Sequence, residues 1–365
     1  MALLCLLTLS LIAQAKLQES GLRESERLAF LNTAGTFFID RLAPIRVRDI
    51  KFLEYDRCPH ENRRPYGIGK FKLQVSCPRG DLEYCGLYGS PRGAQDLMTV
   101  RCQFAAEINH YGEGRVIAAL CYQDISRNGN SRWSRESGGN SIETQQSYGG
   151  EMCKKWRYPG TQLPQLQLPD YLRSRDAKIL WYEPANLESF NGYNSRSREV
   201  ATTRWIRNTY ERTGFSGMGK LPEYGANAAL YLLITRYSYG TTKIIVEDTD
   251  DYIALPRFWV KKATIDSDLI KKKVQKLNKY CNPSDINVMV QTRQSYHVGY
   301  LKNKHNTDNA WLEGAIIHLH DNSDYGCFSP YPVHSEAANR RYRWQFLPDT
   351  TTPRDFARTF GISMK

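Results

Sequence analysis

Between Gly21 and Leu42 the apolar positions recur three and four residues apart, which predicts an amphipathic helix. After Pro44 the texture changes. Ile45–Tyr55, Gly69–Ser76, Met98–Ile108 and Gly114–Tyr122 are short runs rich in β-branched and aromatic residues, separated by Gly, Pro and Asn clusters, and they predict strands joined by turns. Ser126–Gly150 is polar and glycine-rich and predicts a long loop. Tyr158–Pro169 holds three prolines, favours extended backbone and marks a domain boundary. Beyond it the elements alternate. Leu230–Tyr237 and Thr242–Glu247 predict strands, Asp268–Tyr280 a helix, Val288–Leu301 and Ala310–Leu319 strands, Arg341–Phe346 a short strand and Arg354–Phe360 a closing helix. The fold class that follows is α/β in the second half, preceded by a mostly β domain.

The first fifteen residues carry no charge and end in Ala13-Gln14-Ala15, a small-x-small pattern. We read residues 1–15 as a secretory signal peptide cut after Ala15, too short to span a bilayer as a helix. The domain plan is therefore 1–15 signal, 16–157 a cysteine-rich β domain and 158–365 an α/β domain. Of nine cysteines, Cys5 falls in the signal. The remaining Cys58, Cys77, Cys85, Cys102, Cys121, Cys153, Cys281 and Cys327 form an even set, which in an exported chain predicts disulfides without fixing their pairing. No C-x-x-C occurs, so zinc spacing is absent. The expected location is extracellular, with no transmembrane segment.

The formal net charge is +12. Such a chain is drawn to anionic glycans or surfaces. No basic block interleaved with aromatics marks a specific nucleic-acid groove.

Four stretches of the second half carry a resemblance. Arg212-Thr213-Gly214-Phe215-Ser216-Gly217-Met218-Gly219 is similar to R-T-G-x-x-G-x-G. Leu233-Ile234-Thr235-Arg236-Tyr237 is similar to I-I-T-R-W. Gly299-Tyr300 followed by Asn306-Thr307-Asp308-Asn309-Ala310-Trp311 is similar to G-Y-x-D-D-P-R-N-T-D-N-A-W. Tyr342-Arg343-Trp344 is similar to the K-W or R-W before a last helix. In order and spacing these residues resemble the ADP-ribose pyrophosphatase family of the Nudix superfamily, and the Nudix-like tail of the melastatin channel, over about residues 158–365. The resemblance implies a Nudix-like α/β/α sandwich and a pocket for an ADP-ribose-like or other anionic small molecule. It puts Arg236, Tyr300, Asn306 and Asp308 forward as ligand-binding residues.

Nudix hydrolysis uses divalent metal, usually magnesium, held by glutamates on one helix face. Anchoring on Ile253-Ala254-Leu255-Pro256, the family's glycine pair becomes Arg257-Phe258, its arginine Lys272, and its three glutamates Lys273, Lys276 and Leu277. A charged lysine has no lone pair and repels a cation. The helix from Leu269 to Tyr280 contains no Asp or Glu, and Asp266 and Asp268 before it read as N-terminal caps. These are degenerate metal positions, so the expectation is no catalytic residue, no metal and no cofactor: a non-hydrolytic protein that binds an anionic ligand or a partner.

Two alternatives stand beside it. An active ADP-ribose pyrophosphatase would need magnesium on carboxylates from elsewhere, such as Glu247, Asp248, Asp250 and Asp251, which read more simply as a polar turn. A structural or adhesive scaffold would use the fold alone. His318-x-His320, with Asp321 and Asp324 near by, reads as a solvated strand face before a metal site. Gly214, Gly217 and Gly219 read as a tight turn before a phosphate cradle.

Overall fold

The computed structural model describes residues 24–59, 65–77, 85, 97–108, 114–123, 150–186, 206–238, 240–248, 253–261, 265–279, 281–322, 327–328, 333–334, 341–347, 351–353 and 355. The signal-peptide reading, nearly all of Ser126–Gly150, Asp250, Asp251, Asp324 and nearly all of Arg354–Phe360 lie outside these residues. The fold is mixed α/β and mostly strand. Contacts divide the chain into two compact units, Met1–Arg196 with Glu211–Ser216, and Ser197–Tyr210 with Gly217–Lys365.

The first unit is built on helix α1 (residues 24–41) and a five-stranded antiparallel sheet. Its strands are β1 (Arg46–Cys58), β2 (Tyr66–Ser76), β3 (Met98–Ile108), β4 (Gly114–Gln123) and β5 (Trp181–Glu183), paired in chain order. The helical spacing puts Phe30, Phe37 and Phe38 on one stripe, and they pack on Phe71, Leu73, Val100 and Phe104. The opposite sheet face, with Ile68, Ala118, Leu120 and Tyr122, is covered by Tyr158, Leu163, Leu166, Leu168 and Phe215. A sheet covered on both faces accounts for the consecutive buried positions Tyr66–Gly69 of β2 and Cys102–Ala106 of β3.

That second layer shifts the boundary seen in sequence. Proline favours extended backbone at 158–169, and this extended chain lies in the first unit's core instead of linking two domains. Gln103 clamps it with two bonds, its Nε2 donating to the Gln167 carbonyl (2.7 Å) and its Oε1 accepting from the Gln167 N–H (2.9 Å). Short helices α2 (Glu151–Lys155) and α3 (Asp170–Arg173) flank it. Strand β6 (Ala185–Asn186) pairs in parallel with β7 (Phe215–Ser216). Arg212 donates to the carbonyls of Leu172, Ser174 and Arg175, which ties the returning segment down.

The eight cysteines that follow Cys5 are all paired: Cys58–Cys153, Cys77–Cys85, Cys102–Cys121 and Cys281–Cys327. Cys102–Cys121 joins directly opposed residues of β3 and β4.

The second unit is a mixed sheet. Strand β8 (Gly225–Ser238) is central, antiparallel to β9 (Thr241–Asp248) on one side and parallel to β13 (Ala310–His320) on the other. Short β10 (Ile253–Ala254) pairs with β9, and β11 (Arg257–Trp259) with β8. Strand β12 (Gln294–Leu301) forms a hairpin with β13, and β14 (Val333–His334) and β15 (Arg341–Phe346) extend the far edge from β9. Helices α4 (Ser267–Leu277) and α5 (Pro283–Gln291) cover one face, burying Ile270, Val274, Leu277, Ile286, Met289 and Val290 against Leu230, Leu232, Ile234 and Ile317. The other face holds Tyr231, Leu233, Ile244 and Leu312 beneath Leu221, Leu255 and Leu347.

Two expectations are corrected. Val288–Gln291 belongs to α5, not to a strand, because Asn282 caps the helix, Pro283 opens it, and Ile286, Met289 and Val290 fall at helical spacing. Glu247 and Asp248 continue β9 rather than forming a turn, and the Glu247 side chain is buried.

Candidate functional site

The start of β13 is held by its own side chains. Buried Asn306 spends its amide on the fold: Nδ2 donates to the Tyr300 hydroxyl (3.0 Å) and the Leu301 carbonyl (2.9 Å), and Oδ1 accepts from the Leu312 N–H (3.0 Å). It staples the β12–β13 hairpin across its loop. Thr307 Oγ1 donates to the Gly217 carbonyl (2.6 Å) and accepts from the N–H of Ala310 (2.8 Å). Asn309 bridges Gly217 N–H and the Ile206 carbonyl, each at 2.8 Å. The Asp308 carbonyl accepts from the Asn208 N–H (2.8 Å), and the Asp308 side chain is buried. The most specific motif of the chain therefore works first as a backbone clamp.

Tyr300 and Asn306 meet, with Asp308 two residues on. Tyr210 stacks on Tyr300 with ring centroids 4.4 Å apart and meets Trp311 edge-on at 6.5 Å. The Trp311 indole donates to Glu313 (2.8 Å). Burial, then the charge and hydrogen bond of Glu313, push the Tyr210 hydroxyl pKa upward. Arg236 is elsewhere. Parallel pairing sets Ala310 beside Gly225 and His320 beside Thr235, so Arg236 lies at the far end of β8. At a strand rise of ~3.3 Å per residue, that is roughly 35 Å from the start of β13.

The degenerate metal positions are occupied by fold and by cation. Leu277 is a core residue of α4. The Lys273 ammonium lies 5.4 Å from the centre of the Phe258 ring, a cation–π contact. Burial, then Lys276 and Lys272, hold the Lys273 pKa below its usual value. Asp266 caps α4, its Oδ1 accepting from the Leu269 N–H (2.7 Å), and Asp268 pairs with Lys271. A magnesium ion needs several hard oxygens. The side chains at this seat offer an aromatic face, an alkyl group and ammonium ions, so they do not fit one. Among the described residues no three His, Cys, Asp or Glu side chains gather as a metal site.

Gly214, Gly217 and Gly219 all have positive φ, as the tight-turn reading expects. At Gly214 a Cβ would sit 2.0 Å from the Leu166 carbonyl oxygen, so only glycine fits that turn.

The paired histidines of β13 are not a solvated strand face. Thr235 Oγ1 lies 2.8 Å from both His318 Nε2 and His320 Nδ1, and the Tyr296 hydroxyl lies 2.8 Å from His318 Nδ1. With His318 neutral and its proton on Nε2, Tyr296 O–H donates to Nδ1, Nε2–H donates to Thr235, and Thr235 O–H donates to His320, which satisfies the chain. Asp321 turns aside, its Oδ2 accepting from the Phe328 N–H (3.2 Å).

His305, in the β12–β13 loop, is a second part-buried imidazole. Burial first, then Lys304, Lys220 and Arg257, lower its pKa to about 4. Burial, then His320, lower that of His318 to about 4. Both rings are neutral in the folded chain and take up protons on unfolding below pH ~6.5. Their stabilising contribution is thus complete above that pH and lost as pH falls toward 4. The slope is at most ~1.4 kcal/mol per pH unit for each ring, and less because solvent screens them in part. Urea midpoints measured from pH 7 to 4 should fall faster for the natural chain than for a His305→Gln, His318→Gln double variant. Parallel curves would refute the assignment.

Sequence reasoning passed over Tyr210, Glu313 and Lys220, and read Arg257 only as a lost glycine. These residues lie in separate segments, and only the fold brings Tyr210 against Tyr300 and Trp311. The paired cysteines and the Lys272–Lys276 run were the signals visible in one dimension.

No protein-family model matches the chain. Among solved structures it is similar to the crystal structure of C. elegans Ap4A hydrolase, at 12% sequence identity over 37% of this chain and 91% of that one, with a TM-score of 0.21.

Proposed function

We propose that the second unit is a Nudix-like domain that does not hydrolyse its ligand, and that it binds an anionic, ADP-ribose-like small molecule in a secreted, disulfide-stapled protein. The four motif stretches support the family reading. The observation that carries the loss of hydrolysis is the metal seat, where Lys273 lies over Phe258 and Leu277 is a core residue. Two neighbouring ammonium groups repel a divalent ion, and no carboxylate of α4 is placed to offset them. Four disulfides fit an oxidising compartment. Among the described residues no helix is long and apolar enough to cross a membrane.

Calorimetry of the disulfide-bonded chain with ADP-ribose and magnesium tests this. The expected result is a saturating heat that chelation leaves unchanged. A steady heat flow abolished by chelation would show turnover and overturn the non-hydrolytic reading. Absence of binding, confirmed by equilibrium dialysis, would overturn the ligand reading in favour of a scaffold.

A further inference from the structure

The register of the first unit's sheet sets cations opposite one another. Lys51 of β1 is the partner of Lys72 of β2, and Lys72 is in turn the partner of Arg101 of β3. Directly paired residues project to one face, with neighbouring strands ~4.8 Å apart, so the three basic side chains form a row across the sheet. Phe52, Phe71 and Cys102, next to them along the strands, enter the core under α1, so the row lies on the other face. On that face Tyr158, Leu163 and Leu166 cover Ile68, Ala105 and Leu120. Gln103, the same-face neighbour of Arg101, holds the edge of this layer through Gln167. Past that edge β1 adds two arginines. Arg46 stands opposite Ser76, and Arg48, in the bulge between Val47 and Asp49, donates its Nε to Ser76 Oγ (2.9 Å). Ser76 alternates with Lys72 along β2, so both arginines reach the face of the row. Arg46, Arg48 and Lys51 are exposed, and Lys72 and Arg101 are half-buried. The basic field covers roughly 15 Å along β1 and roughly 10 Å across the strands. The row ends at Tyr122, the partner of Arg101 on β4, and the exposed Tyr171 ring packs edge-on against Tyr122 at 6.5 Å.

Like charges directly opposite one another destabilise a sheet. The neighbouring row shows the usual arrangement, in which Lys70 stands opposite Glu54 and pairs with it. Among the described residues no carboxylate lies within ion-pair distance of Lys51 or Lys72. We infer that the row Lys51–Lys72–Arg101, with Arg46 and Arg48 beside it, is a docking face for a linear sulfated glycan. Cationic groups repeated across adjacent strands complement the sulfate and carboxylate groups repeated along such a chain. The Tyr171 ring offers a flat apolar surface to a sugar ring at the end of the row. The field is wider than a single phosphate needs. Asp49, Gln74 and Thr99, which share this face, are polar, so it lacks the apolar side chains that seat a protein in a membrane interface. The choice of a glycan over a nucleic acid rests on the secreted reading above, which the disulfides support. The site gives the first unit a partner of its own, separate from the ADP-ribose-like ligand proposed for the second.

The test uses the full disulfide-bonded chain and a heparin oligosaccharide of defined length as probe, at an ionic strength of about 0.15 M. The Lys51→Glu, Lys72→Glu pair should weaken binding about tenfold or more, whereas the Lys272→Glu, Lys276→Glu pair on α4, which changes net charge equally, should leave it within about twofold. Lys72→Glu alone places a carboxylate between Lys51 and Arg101. It should raise the unfolding midpoint while weakening heparin binding, a pair of opposite changes that a purely structural lysine would not give. Removing the sulfate groups from the oligosaccharide should weaken binding as well. Equal losses from the two pairs would reduce the effect to net charge and overturn the inference, as would undetectable heparin binding at millimolar concentration. Tighter binding of a single-stranded DNA oligonucleotide of equal charge, or of phosphatidylserine vesicles, lost in the Lys51→Glu, Lys72→Glu pair, would overturn the glycan in favour of that partner. Failure of ADP-ribose to bind would overturn the reading of the second unit and leave this face standing.

Discussion

Gly314→Ala is expected to unfold the second unit. Gly314 stands opposite Ala229 in the parallel pairing of β13 with β8, at the middle of the sheet. A Cβ there would lie 1.7 Å from the Ala229 carbonyl oxygen, 2.7 Å from its carbonyl carbon and 3.0 Å from its nitrogen. All three are backbone atoms of the central strand. They cannot yield without breaking the ladder that β8 shares with β9, β11 and β13. Overpacking a core costs ~1–3 kcal/mol when side chains can give. Here the backbone must move, so more than ~4 kcal/mol is expected, a large share of the ~5–15 kcal/mol that holds a domain folded. Amide hydrogen exchange should show protection in β8 and β13 lost. A melting temperature within ~2 °C of the natural chain would mean that the strand register is not the one described.

Asn306→Ala is the second large effect, and it separates two roles for the motif residue. The side chain is 2% exposed and makes three hydrogen bonds. Its loss removes the bonds to the Leu312 N–H, the Leu301 carbonyl and the Tyr300 hydroxyl, at ~1 kcal/mol each, so ~3 kcal/mol in all. Asn306→Asp should be no better, because a carboxylate cannot donate to the Leu301 carbonyl. The readout is the denaturation midpoint of the ligand-free protein. If Asn306 served a ligand and not the fold, that midpoint would move by less than ~0.5 kcal/mol. Any loss of ligand binding in Asn306→Ala is then read through folding.

Much of the architecture was legible along the chain because its signals are local. Runs of β-branched and aromatic residues bounded by turn residues mark β1 to β4, and each observed strand overlaps its expectation closely. The spacing of Ile270, Val274 and Leu277 announces α4 and its buried stripe. The even cysteine count announces disulfides. Where the reading slipped, a local signal was ambiguous. Val288-Met289-Val290 favours strand by residue type, yet the cap at Asn282 and packing against β13 make it helix. The proline-rich segment after Tyr158 looks like a linker by composition, and only the apolar sheet face it covers shows that Leu163, Leu166 and Leu168 are core.

The site divides the same way. On α4 residue identity is legible along the chain: lysine and leucine side chains carry no oxygen, whatever the fold around them. The grouping of residues is not. Arg236, Tyr300, Asn306 and Asp308 share a motif set in sequence, but β8 is long enough to hold Arg236 at the opposite end of the sheet. The sequence alone determined the helix and strand periods and the even set of disulfide-forming cysteines, because each follows from residue type and short-range spacing. The tertiary structure decided the unit boundary, the clamp made by Asn306 and the separation of Arg236 from it, because each depends on contacts between segments far apart in the chain, which strand register and burial select.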